Sequence, residues 1–303
     1  MSRTTSAEAV IQVSYGSHGI ARLPDGTQFD CSFRRQVGRP YCGDQVVVER
    51  QDDGAWVVEN IYPRRNHFVR ADRQQNQHVI AANLDQVLVV IAVTPAPSKD
   101  LVERYLLAVH SLGIEPVLVI NKADLTPAAD AQTAESALTR LVQYRALGYA
   151  VVETSCKAEP GLRALEPLLR DKTSILVGQS GVGKSSLVRN LLPDLEIQIG
   201  ALSRDTGKGT HTTTTTILYA LPAGGYLMDS PGVWEYGLWK LPASEIAPGF
   251  VEFRSYLDGC RFNDCLHASE PGCAVKAAVQ GGEIADWRYQ SYLRLLEQNA
   301  SGF

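Results

Sequence analysis

The first sixty residues are patterned for short strands. From about Ala9 to Ile61, apolar and polar residues alternate in brief runs, as in Val10-Ile11-Gln12-Val13. Gln45-Val46-Val47-Val48 and Ala55-Trp56-Val57-Val58 flank the turn signal Asp53-Gly54, and Asp25-Gly26 marks an earlier turn. Gly16, Gly19, Gly38 and Gly43 suit the bulges and tight bends of a small closed sheet. About five such strands predict a small barrel, with an OB-type barrel ahead of an SH3-like barrel or a sandwich fragment.

The stretch from Pro63 to Gln77 is polar and basic and reads as a linker. Its Arg64, Arg65, Arg70 and Arg73 are the best local candidates for phosphate contact outside the barrel. Beyond Asp85 the period changes, and strands alternate with helices. Strands are expected at Gln86 to Val93, Pro116 to Ile120, Ala150 to Glu153 and Thr173 to Val177. Between them, Ser98 is placed to cap a helix running to about Leu112 and ending at Gly113. A second helix runs from near Asp130 to Leu147, and a third from Lys184 to Leu192. This alternation predicts an open parallel sheet with functional residues at the carboxyl ends of its strands. The last segment is helical from Ile284 to Gln298, with Trp287, Tyr289, Tyr292 and Leu295-Leu296 spaced for a core or docking face.

A length of 303 residues accommodates two or three domains. Apolar content of 45% and charged content of 20% are ordinary for a globular protein, and the longest apolar runs are too short to span a bilayer. No membrane association is expected, and the absence of a basic-then-apolar leader points to a cytoplasmic location. A net charge of −4 exerts no global pull on nucleic acid, so any RNA contact must use local basic patches. Cys31, Cys42 and Cys156 are scattered and read as free thiols. Nothing in the pattern signals a dimer seam, and a monomer is expected.

Four short motifs carry the chemistry. Gly178-Gln179-Ser180-Gly181-Val182-Gly183-Lys184-Ser185, followed by Ser186, is a complete phosphate loop between a predicted strand and helix. Its amides and the helix N-terminus favour an anion, Lys184 is placed for the β- and γ-phosphates, and Ser185 for magnesium. Asn121-Lys122-Ala123-Asp124 selects the base, because a carboxylate can accept from both the guanine ring N–H and its exocyclic amine, a pair that adenine lacks. Ser155, Cys156 and Lys157 fit a second base-contacting loop. Asp229-Ser230-Pro231-Gly232 follows an apolar approach, with Asp229 expected to act on magnesium through water and the Gly232 amide to sense the γ-phosphate. The next residue is Val233, where Ras-like enzymes carry the glutamine that orients water, so unaided hydrolysis is expected to be slow.

The threonine-rich stretch Thr206 to Thr216 is a candidate loop over the γ-phosphate. Thr212 or Thr213 would complete magnesium coordination there, and His211 is the nearest group able to orient water, a solvent-exposed loop histidine being the alternative. These signatures stand in an unusual order. Base-reading motifs come first and the phosphate loop after them, whereas in an ordinary small GTPase the phosphate loop leads. The order closes a cycle only when read from another starting point, which implies a circularly permuted domain with segments added at each end.

Near the C-terminus, Cys260, Cys265, His267 and Cys273 offer three thiolates and one imidazole within a short span. That set satisfies a closed, tetrahedral structural zinc site, against the alternative of free thiols with a chance histidine. No position is left open for a catalytic water.

Taken together, Asn-Lys-Ala-Asp, the phosphate loop with Ser186, Gly-Lys-Gly-x-His-Thr-Thr, Asp-Ser-Pro-Gly and Cys-x4-Cys-x-His-x5-Cys resemble the bacterial circularly permuted GTPases of the RsgA (YjeQ) family, which act in maturation of the small ribosomal subunit. Gly38-Arg39-Pro40 and Gly43-Asp44 are similar to the family as well, so the resemblance spans nearly the whole chain. It implies a multidomain α/β protein with an OB-like, RNA-binding barrel and linker over residues 1–70, a permuted P-loop GTPase domain over 71–245 and a helical zinc-binding domain over 246–303. It also implies GTP hydrolysis stimulated by the small subunit, one structural zinc per chain, magnesium with GTP, rRNA contacts through barrel and zinc domain, and His211 in place of the missing glutamine. A permuted GTPase serving the large subunit or general translation is the alternative. Gly181 argues against it, since potassium-activated GTPases, which the large-subunit permuted enzymes resemble, usually carry asparagine there. The flanking barrel and zinc module argue against it more strongly.

Overall fold

A computed structural model describes residues 5–71, 77–97, 100–128, 142–194, 216–229 and 241–301. Strands β1 (Thr5–Ser14), β2 (His18–Arg22), β3 (Gln28–Phe33), β4 (Gln45–Arg50) and β5 (Trp56–Ile61) close a barrel in the order β1-β2-β3-β5-β4. β3 and β5 pair in parallel and the other neighbours antiparallel, a five-stranded Greek-key order that fits the OB-type expectation. Inward positions Ile11, Val46, Val48 and Val58 are fully buried and fill the barrel, as period-2 alternation requires.

The stretch read as a linker is not one along its length. β6 (His67–Ala71) and β7 (Gln77–Ala82) form a two-stranded antiparallel sheet, with Phe68 and Val69 buried in the main core. On β7, Ala81 and Ala82 are buried as well, and Val79 and Ile80 pack against the same core. Arg64 and Arg65 are both engaged in ion pairs. Arg64 makes a bidentate pair with Asp44, whose side chain is 0% exposed, and Arg65 pairs with Asp85. The Arg70 side chain and Arg73 lie outside the described residues.

Strands β8 (Gln86–Ala92), β9 (Glu115–Asn121), β10 (Ala150–Glu153), β11 (Thr173–Val177), β12 (Ile217–Ala220) and β13 (Tyr226–Asp229) form one sheet in the order β10-β9-β8-β11-β13-β12. All pairings are parallel except β12 with β13 at the edge. Helix α1 (Leu101–Ser111) lies on one side of the sheet with Asp100 at its N-cap position, and Ser98 lies outside the described residues. Short α2 (Glu166–Leu169) precedes β11, and α3 (Lys184–Leu191) follows the phosphate loop. Of the helix expected from Asp130, residues 142–146 are helical and the remainder to 141 lies outside the described residues.

The C-terminal part contains α4 (Ala243–Ile246), two 3₁₀ segments (Ala247–Gly249 and Val251–Gly259), α5 (Ala274–Gly281) and α6 (Asp286–Ser301). It packs on α1: Phe250, Phe253, Tyr289, Tyr292 and Leu295 are buried in the same cluster as Tyr105, Leu106 and Val109. Arg288, with 1% of its side chain exposed, donates to Glu252 and faces Glu103 of α1 across 3.7 Å. The barrel is tied to the other flank of the sheet. Gln12 Nε2 donates to Leu218 O of β12 at 3.1 Å, and Gly43 packs so closely on Ala82 O and the Met228 side chain that a Cβ would lie 2.3 and 2.5 Å from them.

Candidate functional site

The parallel strands deliver their C-terminal residues to one edge. Asn121 ends β9, Thr154-Ser155 follows β10, Gly178 follows β11, and Asp229 ends β13. The order of the motifs along the chain differs from their order across the sheet, so segments distant in sequence become neighbours.

Asn121 joins base loop and phosphate loop. Its buried Nδ2 donates to Val182 O at 2.9 Å, and its Oδ1 accepts from Thr154 Oγ1 at 3.2 Å. Gly183 (φ +97°) permits this approach, since a Cβ there would stand 2.3 Å from Asn121 Nδ2. Gly178 (φ +148°) is equally constrained, a Cβ falling 2.2 Å from Val90 O. The loop then turns into α3 with Ser185 and Ser186 exposed at its start and Val182 buried beneath it. Lys184 Nζ donates to Gly178 O at 2.6 Å and Gln179 O at 2.9 Å, folding over its own loop.

On the base side, Ser155 Oγ donates to Asp124 Oδ1 at 2.6 Å and accepts from the Lys157 and Ala158 amides at 3.1 Å each. The second base loop is thereby locked to the carboxylate of the first, and the Ala123 amide donates to Thr154 O at 3.0 Å. Cys156 is half-buried, its thiol pushed up by burial and then by Asp124. Lys122 (φ +59°) donates to Thr94 O at 2.8 Å, while Gln179 Nε2 donates to Pro95 O and Ala96 O at 3.1 and 3.2 Å. Thr94 to Ala96 thus forms a strap touched by both the phosphate loop and the base tetrad. Sequence reasoning missed it, because its contacts are backbone carbonyls that no residue type announces.

Asp229 stands near Lys184: burial raises its carboxyl above the usual range and the ammonium opposes that rise. Ser180 and Gly181 are exposed on the loop. His211, Thr212, Thr213, Gly232 and Val233 lie outside the described residues.

A second cluster lies in the C-terminal part. The donor atoms of Cys260, Cys265, His267 and Cys273 all lie within 4.8 Å of one another and can hold a metal ion. Cys260 Sγ and Cys273 Sγ are each 3.4 Å from His267 Nδ1 and 3.9 Å from each other. Two sulfurs on one tetrahedral zinc stand about 3.8 Å apart, and a sulfur and a nitrogen about 3.6 Å. The surrounding loop is held by Glu270, whose carboxylate accepts from the Leu266, Ala268 and Ser269 amides. Tyr289 and Tyr292 donate to His267 O and Leu266 O at 2.7 and 2.5 Å, so these aromatics brace the loop and are not free to stack on bases. Among the described residues, no helix is long and apolar enough to cross a membrane.

A family model described as RsgA GTPase matches residues 61–239. The chain is 48% identical over 267 residues to the small ribosomal subunit biogenesis GTPase RsgA of Chromohalobacter salexigens, covering 88% of this chain and 77% of that protein. It is 42% identical over 288 residues to the Shewanella oneidensis protein of the same name, covering 93% and 80%. Among solved structures, YjeQ from Thermotoga maritima superposes with a TM-score of 0.80 at 29% identity, covering 99% of this chain and 100% of that one. YloQ, described as a circularly permuted GTPase, does so at 0.78 with 28% identity, covering 98% and 96%. With its phosphate loop, base-reading loops and Asp229 gathered on one edge of a sheet flanked by barrel and Cys/His cluster, the chain belongs to the RsgA GTPase family and is a GTP hydrolase.

Proposed function

We propose that this protein is a cytoplasmic, monomeric GTPase that binds the small ribosomal subunit through rRNA, acts late in its maturation and hydrolyses GTP faster when bound to it. The observation that carries the reading is the joining of base and phosphate loops through Asn121 in a chain whose relatives are named for small-subunit biogenesis. The domains would be a barrel with its linker (1–70), the GTPase domain (71–245) and a zinc domain (246–303), with barrel and zinc domain as the rRNA-facing modules.

In this reading Asp124 accepts from the guanine edge, and Ser155, already bonded to it, fixes the carboxylate's orientation. Asn121 and Lys122 hold the loop and cover the base, while Cys156 and Lys157 present the second loop. The amides from Gly178 to Ser186 wrap the phosphates. Lys184 leaves its two loop carbonyls for the β- and γ-phosphates, exchanging neutral acceptors for anionic ones that bind it more strongly. Ser185, Thr212 or Thr213, and Asp229 through water would hold the magnesium that neutralises the phosphates' developing charge. Gly232 senses the γ-phosphate, and His211, brought over it by the subunit, orients the attacking water. Zinc fits the Cys260, Cys265, His267 and Cys273 set because three thiolates and an imidazole at these separations leave no open position.

Co-sedimentation of the full chain with purified small subunits tests the reading. Retention with a non-hydrolysable GTP analogue and release with GDP are expected. Equal retention in both states contradicts it.

A further inference from the structure

Helix α6 is fixed to the GTPase domain at a point connected to the nucleotide site. Asp100, 4% exposed, occupies the N-cap position of α1 with φ +63°, yet its carboxylate caps nothing. It turns to α6 instead. Arg294 Nε and Nη2 donate to its two oxygens at 2.6 Å each, and Ser291 Oγ donates at 2.8 Å. Arg294 Nη2 also donates to Ser291 Oγ at 2.9 Å, closing a three-residue network. A bidentate guanidinium–carboxylate pair fixes direction as well as distance. Asp100 follows Ala96 by four positions in the chain, so at about 3.5 Å per residue the two cannot separate by more than about 14 Å. Ala96 and Pro95 carry the carbonyls that hold Gln179 of the phosphate loop, and Thr94 carries the one that holds Lys122.

We propose that Asp100 is a positioning residue through which α6 sets nucleotide affinity. With α6 docked, Asp100 is held four positions beyond the strap, and the strap at 94–96 keeps Gln179 and Lys122 in the geometry that grips the nucleotide. With α6 undocked, the strap gains freedom and the nucleotide leaves faster. Release of GDP is then coupled to whatever engages the C-terminal part, with no contact between that part and the nucleotide. The inference rests on the assignment of Gln179 and Lys122 to the nucleotide site.

The test is the dissociation rate of fluorescent GDP from the full chain and from Arg294→Gln, Arg294→Lys, Gln179→Ala and the Gln179→Ala, Arg294→Gln pair. Arg294→Gln is expected to speed release about fivefold, the worth of one hydrogen bond. It should raise the KM for GTP by a similar factor and leave kcat unchanged, since it touches no reacting atom. Arg294→Lys should restore most of the wild-type rate, and Ser291→Ala, which removes the other donor to Asp100 and should also speed release, carries the test if Arg294→Gln does not fold. In the Gln179→Ala background, where only the Lys122 contact with Thr94 is left to carry the coupling, Arg294→Gln should add a smaller factor than it does in wild type. A lowered melting temperature with release within about twofold of wild type, or an undiminished effect in the Gln179→Ala background, overturns the proposal. Failure of the wild-type chain to bind fluorescent GDP would instead strike the nucleotide-site assignment itself.

Discussion

Replacing Gly183 by alanine probes the junction on which the site depends. Gly183 sits at φ +97°, where a β-carbon is strained by about 1–3 kcal/mol. The new methyl would also stand 2.3 Å from Asn121 Nδ2, a position it can occupy only if that amide withdraws from Val182 O. The lost hydrogen bond adds about 0.5–1.5 kcal/mol. The two terms together, about 1.5–4.5 kcal/mol, weigh against the binding-competent loop and translate into a loss of GDP affinity of roughly ten- to a thousandfold. Gly181→Ala supplies the contrast. Its φ of +79° carries the backbone strain, but a Cβ there meets the Pro95 ring, Cγ at 3.6 Å and Cδ at 3.7 Å, in ordinary contact. That variant should lose about tenfold. Titration with fluorescent GDP measures both, and far-ultraviolet circular dichroism confirms that each protein is folded. Affinity of Gly183→Ala within about threefold of wild type, or equal losses in the two variants, would refute the argument that Asn121 couples base loop to phosphate loop.

Other consequences are equally measurable. Arg288→Met leaves the carboxylates of Glu252 and Glu103 facing each other without their shared cation, and should destabilise the C-terminal part by about 3–5 kcal/mol in denaturant melts followed by Trp287 fluorescence. Cys265→Ser should abolish retention of one equivalent of zinc, read by metal analysis after gel filtration, and lower the thermal stability of the same part. His110 is depressed to about 4, first by burial and then by Arg254 and Arg288. A group whose folded value lies below its unfolded one contributes stability above the unfolded value, near 6.5, and loses it as pH falls toward 4. Melts across that window should show this slope in wild type and a shallower one in His110→Gln.

The site was legible in the sequence where chemistry demands residue types at fixed spacing. A phosphate loop needs Gly178 and Gly183 for close backbone approach, Lys184 for charge and Ser185 for a metal, and few other functions ask for that string. The Cys/His set and the alternation of strands and helices were legible for the same reason, since donor chemistry and hydrophobic period are local properties. What was not legible depends on distant partners. Arg64 looked available for phosphate, but Asp44, twenty positions earlier, holds it from a fully buried position. The β6–β7 hairpin was hidden because its first strand stands in polar text, where only Phe68 and Val69 are buried, while the apolar residues Val79 to Ala82 that complete its packing lie beyond the stretch read as a linker. Asp100 gave no signal at all. Ser98, the cap that composition suggests, lies outside the described residues, and Asp100 at the N-cap position places its carboxylate on Arg294 and Ser291, 194 and 191 positions away.

The most direct measurement for the account as a whole is steady-state GTP turnover by the full chain alone, with purified small subunits, with large subunits and with free rRNA. Slow turnover alone, strong stimulation by small subunits and loss of that stimulation in His211→Ala are predicted. Stimulation by large subunits only, or full stimulation retained in His211→Ala, would contradict the proposed partner or the proposed water-orienting residue respectively.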